Sequence, residues 1–268
     1  MQNLKLILVG VAILCFTSCS NDDSVNDETI NPTITGLSVE ASSGSSLSDR
    51  VLNFKSPNTR AVDYTTLSLE LLTNMPSEPS VPNDAADFTT VVSSGNVSTA
   101  SNSVYLPSGK TYSGQLGLGN KTYYISGDMT LDKVWDSGKI YILKGGSLKL
   151  THGGETLWSN QGTTIYNYGT LTTTASKFYI GGNETLYNAG NLDIPTQVFK
   201  CEGKAYVGGY LNTKGWESNQ NERVNIIGNV TVAEAASQLD GNIHVGGSFT
   251  APSITLINNC QFVSDCSV

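Results

Sequence analysis

The side chains able to do chemistry are few and far apart. Among 268 residues there are 23 Asp and Glu, 15 Lys and Arg, two His and five Cys. His152 and His244 lie 92 positions apart and no Cys-x-x-Cys occurs, so no metal site and no cofactor is expected. Neither a Gly-x-Ser-x-Gly nucleophile turn nor a phosphate loop is present. The pairs Gly181-Gly182, Gly208-Gly209 and Gly246-Gly247 are read as bends. Glycosidic cleavage needs two carboxyls roughly 5–9.5 Å apart, and the acids that could supply them have no obvious partners. Glu202 and Lys204 are expected to form an ordinary surface ion pair. The aromatic residues are better placed. Tyr124, Tyr166, Tyr187 and Tyr206 recur at multiples of about twenty residues, and flat aromatic faces on an extended surface suit sugar rings.

That recurrence belongs to a longer pattern. Gly127, Gly146, Gly169, Gly190, Gly209, Gly228 and Gly247 are each followed two residues later by an apolar residue, at spacings of 19, 23, 21, 19, 19 and 19. Cys260-Gln261-Phe262 extends the series after 13. Four positions before each anchor stand Tyr123, Ile142, Ile165, Leu186, Ala205, Val224, Ile243 and Leu256; two after it stand Met129, Leu148, Leu171, Leu192, Leu211, Val230, Phe249 and Phe262. Apolar residues alternating with polar ones on both sides of a bend, repeated every twenty residues or so, describe short strands stacked in register around an enclosed core.

The sequence therefore predicts an all-β fold, a right-handed single-stranded parallel β-helix of about eight coils over 101–268, with an N-terminal collar or cap. Gly109-Lys110-Thr111 is a candidate for a further, degenerate first coil. A β-sandwich would give hairpins without column identity, and the leucine-rich motif is missing. Exposed strand edges at the ends need covers. Residues 85–110 are expected to cap one end and Asn258–Val268 the other, with a Cys260–Cys266 disulfide pinning the last coil. Asn167 and Asn188 share a column and are expected to bond through their amides. Trp158 and Trp216 are expected to plug the core at corners.

The column three before each anchor reads Tyr124, Leu143, Tyr166, Tyr187, Tyr206, Asn225, His244 and Ile257. If the even columns point inward, this one points out. Tyr166, Tyr187 and Tyr206, with Tyr124, are the ligand-binding candidates, set against the plain fact that tyrosine is a good strand residue. Asp128 and Asp193 fall in different columns, and Glu184 and Glu222 share one column two coils apart, so no catalytic residues are assigned.

The chain opens with an address. Residues 1–18 join Lys5 to an apolar run, Leu6–Phe16, too short to span a bilayer. Phe16-Thr17-Ser18-Cys19 resembles the lipobox of bacterial lipoproteins, and Ser20-Asn21-Asp22-Asp23 resembles the surface-export signal of Bacteroidetes lipoproteins. Together with the repeat, these residues make the chain similar to the adhesin-like surface lipoproteins of that group. The resemblance implies lipidation at Cys19, an outer-membrane anchor through lipid alone, and exposure on the cell surface. Residues 19–50 read as an acidic flexible tether, and 51–100, with Pro76, Pro79 and Pro82, as a linker or N-terminal cap.

The charge supports this division. The chain carries a formal −8, yet residues 101–268 hold 11 basic and 12 acidic side chains, so the acidity lies in the tether. A near-neutral repeat has no surface for phosphate, which argues against nucleic acid and favours an uncharged extracellular glycan or host matrix as partner. The expected role is non-catalytic binding or adhesion. The alternatives are a polysaccharide lyase or glycoside hydrolase on the same scaffold, and a structural surface spacer.

Overall fold

The computed structural model describes residues 71–151, 162–218, 222–258 and 260–265, together with the backbone of Val39–Glu40 and Leu52–Phe54. Cys19, His152, Trp158 and Cys266 lie outside the described residues.

The fold is a parallel β-solenoid. Its first face is built from nine strands, Ser103–Leu106, Thr122–Ile125, Lys139–Ile142, Thr164–Asn167, Thr185–Asn188, Lys204–Val207, Glu222–Ile226, Gly241–Val245 and Gln261–Ser264, here taken to number coils 1 to 9. Neighbouring strands pair parallel and in register along its whole length. Coil 1 is the degenerate coil: Gly109 turns at φ +75°, and Thr111–Gly117 pairs with Asp128–Trp135 on the second face.

The second and third faces are less regular. Asp128–Trp135, Ser147–Leu150 and Thr170–Thr173 continue the sheet begun by Thr111–Gly117. Leu192–Cys201 and Leu211–Glu217 each run as one strand through both faces, with a register shift between Ile194 and Val198, and in the next two coils the strands are separate again. Alternation fills the interior. Val104, Tyr123, Ile140, Ile165, Leu186, Ala205, Val224, Ile243 and Phe262 form one fully buried column, each large apolar member contributing about 1.5–3 kcal/mol on burial. Trp216 is buried in the core, packed edge-on to Phe199 at 5.2 Å.

Two registers differ from expectation. Ile140, not Ile142, pairs with Tyr123, because the corner after coil 3, Leu143–Gly146, is two residues longer than Ser126–Gly127 after coil 2. Gly145, at φ +86°, makes that longer corner possible. Phe262 pairs with Ile243 on the first face, so Cys260 is not the last bend; Ile254–Leu256 belongs to the third face and pairs with Ala236–Leu239.

Both ends of the first face are covered by the start of the chain. At coil 1, Ala86–Asp87 adds a parallel strand. The helix Phe88–Val91 follows, its N-terminus capped by the Asp87 carboxylate accepting from Thr89 N–H at 2.8 Å. Phe88 plugs the core beside Tyr112, ring centroids 4.8 Å apart. At coil 9, Leu52–Phe54 pairs antiparallel with Phe262–Ser264, and Val39–Glu40 pairs antiparallel with Leu52–Phe54 in turn. Cys260 is a buried free thiol.

Candidate functional site: the tyrosine column

The outward column of the first face carries tyrosine in six consecutive coils: Tyr105, Tyr124, Tyr141, Tyr166, Tyr187 and Tyr206, continued by Asn225, His244 and Val263. All four sequence candidates fall in it. Tyr141 escaped because the longer corner put Leu143 in its place, and Tyr105 because coil 1 lies outside the glycine series. The strand-centred signal was present throughout: Val-Tyr-Leu, Tyr-Tyr-Ile, Ile-Tyr-Ile, Ile-Tyr-Asn, Leu-Tyr-Asn and Ala-Tyr-Val.

In-register pairing decides how the rings lie. Tyr124 and Tyr141 stack at 5.3 Å and 11°, Tyr141 and Tyr166 at 4.5 Å and 9°, Tyr166 and Tyr187 at 4.9 Å and 7°. Tyr187 and Tyr206 tilt to 39° at 6.4 Å. The ring faces are thus taken up by one another, and the column turns ring edges and hydroxyls outward. Tyr124 and Tyr206 are buried; Tyr105, Tyr141, Tyr166 and Tyr187 are half-buried. Desolvation raises the phenol pKa of Tyr141, Tyr166 and Tyr187, which keeps these hydroxyls protonated donors. The column therefore presents hydroxyls and ring edges, not the flat faces expected.

Below the tyrosines the column becomes a relay. His244 Nδ1 lies 2.8 Å from Asn225 Oδ1, and His244 Nε2 lies 3.1 Å from both carboxylate oxygens of Asp265. This carboxylate partner was not apparent in the sequence. Asn225 Nδ2 donates to the Leu72 carbonyl at 3.0 Å. Behind the column, inside, Asn167 Nδ2 donates to Asn188 Oδ1 at 2.6 Å, the amide pairing expected from their shared position.

The acids singled out in the sequence are engaged or enclosed. Ser147 Oγ donates to Asp128 at 2.6 Å and Asn212 Nδ2 to Asp193 at 2.8 Å. Glu202 does not pair with Lys204. It takes the Lys200 ammonium at 3.3 Å and the Tyr179 hydroxyl, while the same ammonium sits 4.3 Å over the Tyr179 ring. Glu184 and Glu222, read from sequence beside the outward acids, are buried at the corner leading into the first face. Glu184 accepts from Gly181 N–H at 2.9 Å. Glu222 accepts from Trp216 Nε1–H at 3.2 Å, and its second oxygen is buried without a hydrogen-bond partner. Burial pushes the Glu222 carboxyl well above the usual range, against the smaller opposing effect of the Trp216 bond. Among the described residues no three His, Cys, Asp or Glu side chains gather as metal ligands.

Comparison of the chain with protein-family models, curated proteins and solved structures finds no match.

Proposed function

We propose that the protein is a lipid-anchored, surface-displayed β-solenoid that binds extracellular glycan or host matrix along its tyrosine side and does not catalyse. The observation that carries the reading is the unbroken run of six tyrosines. Its half-buried members, Tyr105, Tyr141, Tyr166 and Tyr187, present hydroxyls over roughly 19 Å, at ~4.8 Å per coil, a length suited to a linear polymer lying along the rod. The anchor rests on Phe16–Cys19 and the acidic residues behind it. The absence of catalysis rests on acids already held by Ser147, Asn212, Lys200 and Tyr179, or enclosed in the core.

Glycan and matrix-protein arrays test it with the Tyr141→Phe/Tyr166→Phe/Tyr187→Phe variant, which keeps the ring stack and removes three hydroxyls. Binding is expected to fall at least about tenfold. Unchanged binding would remove the column from the reading, and release of reducing ends or unsaturated sugars from a polysaccharide would make the protein an enzyme. Protection of the solenoid from protease added to intact cells would overturn surface display.

A further inference from the structure

Residues 101–268 hold 11 basic and 12 acidic side chains, but the two signs are not spread evenly around the solenoid. Two positions before the tyrosine column, on the same outward side of the first face, a second column reads Ser103, Thr122, Lys139, Thr164, Thr185, Lys204, Arg223, Asn242 and Gln261. It holds three cations and no acid, and the tyrosine column beside it, from Tyr105 to Val263, holds no acid either. The other faces mix the signs. Asp128, Lys149 and Asp193 stand outward on the second face. Farther round, Lys177 pairs with Glu217, Lys200 with Glu202 and Lys214 with Glu234.

The cations of the first face are not neutralised where they stand. Lys139 and Lys204 are exposed and have no ion pair among the described residues. Glu202, the acid nearest Lys204 in sequence, is taken by Lys200 and Tyr179 instead. Arg223 Nη1 donates to the Glu222 carbonyl at 3.2 Å, an uncharged acceptor. At the margins of the face, Glu78 accepts from the Lys144 N–H at 2.6 Å and Asp265 lies 3.1 Å from His244. Register turns this segregation into geometry. Lys139 and Lys204 are three coils apart, about 14 Å, and each stands about 6.6 Å along its own strand from a tyrosine, Tyr141 or Tyr206. Thr164 and Thr185 lie between them, beside Tyr166 and Tyr187. Ammonium, guanidinium, threonine and tyrosine hydroxyls all donate, and on this strip no carboxylate competes for what they donate to.

We propose that the first face binds a linear polysaccharide carrying anionic groups, carboxylate or sulfate, with the chain lying along the tyrosine column and its oxyanions meeting Lys139, Lys204 and Arg223. The inference rests on the glycan reading and names the class of polymer. It also replaces the uncharged ligand expected from the near-zero charge of the repeat, because that sum averages over faces that one ligand never meets together. Hydrogen bonds from these donors to an oxyanion are shorter and stronger than those to a neutral hydroxyl. A strip of one sign further raises the local concentration of a polyanion and its rate of arrival.

Matched polymers test this on the full chain. Polygalacturonate and its fully methyl-esterified form share a backbone and differ in charge; chondroitin sulfate and its desulfated form differ in sulfate alone. At low salt, about 50 mM, polygalacturonate is expected to bind at least about tenfold more tightly than its ester if carboxylate is the group read, and chondroitin sulfate than its desulfated form if sulfate is. Lys139→Gln/Lys204→Gln is expected to remove most of that preference and to leave binding of the ester unchanged. Equal binding within both pairs, or a preference that survives in the double variant, overturns the inference; the glycan reading then stands if Tyr141→Phe/Tyr166→Phe/Tyr187→Phe still weakens binding. Failure of every polysaccharide to bind overturns both. Duplex DNA bound as tightly as the best polysaccharide overturns the class of polymer. Should the double variant fail to fold, the parent decides: its binding is expected to weaken several-fold between about 50 and 200 mM salt, and binding indifferent to salt overturns the inference.

Discussion

On the outside of the first face one residue type repeats through six coils, Tyr105 to Tyr206; one corner away, inside, the column reads Thr163, Glu184, Gly203, Glu222, Gly241 and Cys260. The coil spacing is the same, so the side chains make the difference. Neutral planar rings gain by lying on one another at that distance. Two carboxyls so close in a dry interior would repel and compete for the same donors. Glycine accordingly separates Glu184 from Glu222 and Glu222 from Cys260, and it does so by necessity. A Cβ at residue 203 would press into the carbonyl oxygens of Gly181 and Glu184. A solenoid column can repeat a flat neutral residue indefinitely, but a buried acid only every second coil.

The sharpest way to break this contrast is to open the inner side. Cys201 and Cys260 are buried free thiols whose pKa values burial raises well above the ordinary range. Their alkylation at pH 8 is expected to be at least about a thousandfold slower than in the urea-unfolded chain, because it awaits opening of the core; mass spectrometry of labelled peptides reads this, and prompt labelling would mean that the column is not enclosed. Next, Gly203→Val is expected to cost about 3 kcal/mol or more, a fall in Tm of about 6–12 °C by calorimetry. The Glu222 carboxyl comes third. Burial keeps it neutral in the fold, whereas the unfolded chain releases its proton above the ordinary Glu value of 4.5. Its contribution is full below that pH and declines as pH rises, by up to about 1.4 kcal/mol per pH unit. Urea titrations between pH 4.5 and 8 are expected to show this slope in the parent and its loss in Glu222→Gln. Smallest are the outer changes. Tyr166→Ala, which removes stacking on Tyr141 and Tyr187, is expected to cost about 1–3 kcal/mol, and Tyr166→Phe less than about 0.5 kcal/mol; equal costs would show that the hydroxyl, not the stack, holds the column.

Much of this was legible in the residues because a solenoid writes its contacts at constant separation. Columns such as Leu186, Ala205, Val224 and Ile243 align by counting nineteen, since no corner between them changes length. Where a corner grew by two residues, counting from the glycines moved Tyr141 out of its column, although the strand pattern around it was intact. The burial of Glu184 and Glu222 was within reach of the same count and was missed for another reason. Each stands two residues before an inward residue, Leu186 or Val224, so alternation carried back one step places both inside; it was their charge that set them among the outward acids. The stacking of the rings followed from register alone. The bond from Asn225 to the Leu72 carbonyl did not, because it joins positions 153 apart and leaves no periodic trace.

The antiparallel pairing of Leu52–Phe54 with Phe262–Ser264 also sets a clock. At about 5–20 residues per second of synthesis, residue 54 waits on the order of 10–40 s before its partner strand exists. Coils can stack one upon another as they emerge, but this closure comes after the last of them. The edge at coil 9 is thus shut by a segment made well before it, and the order of synthesis and the order of closure run in opposite directions.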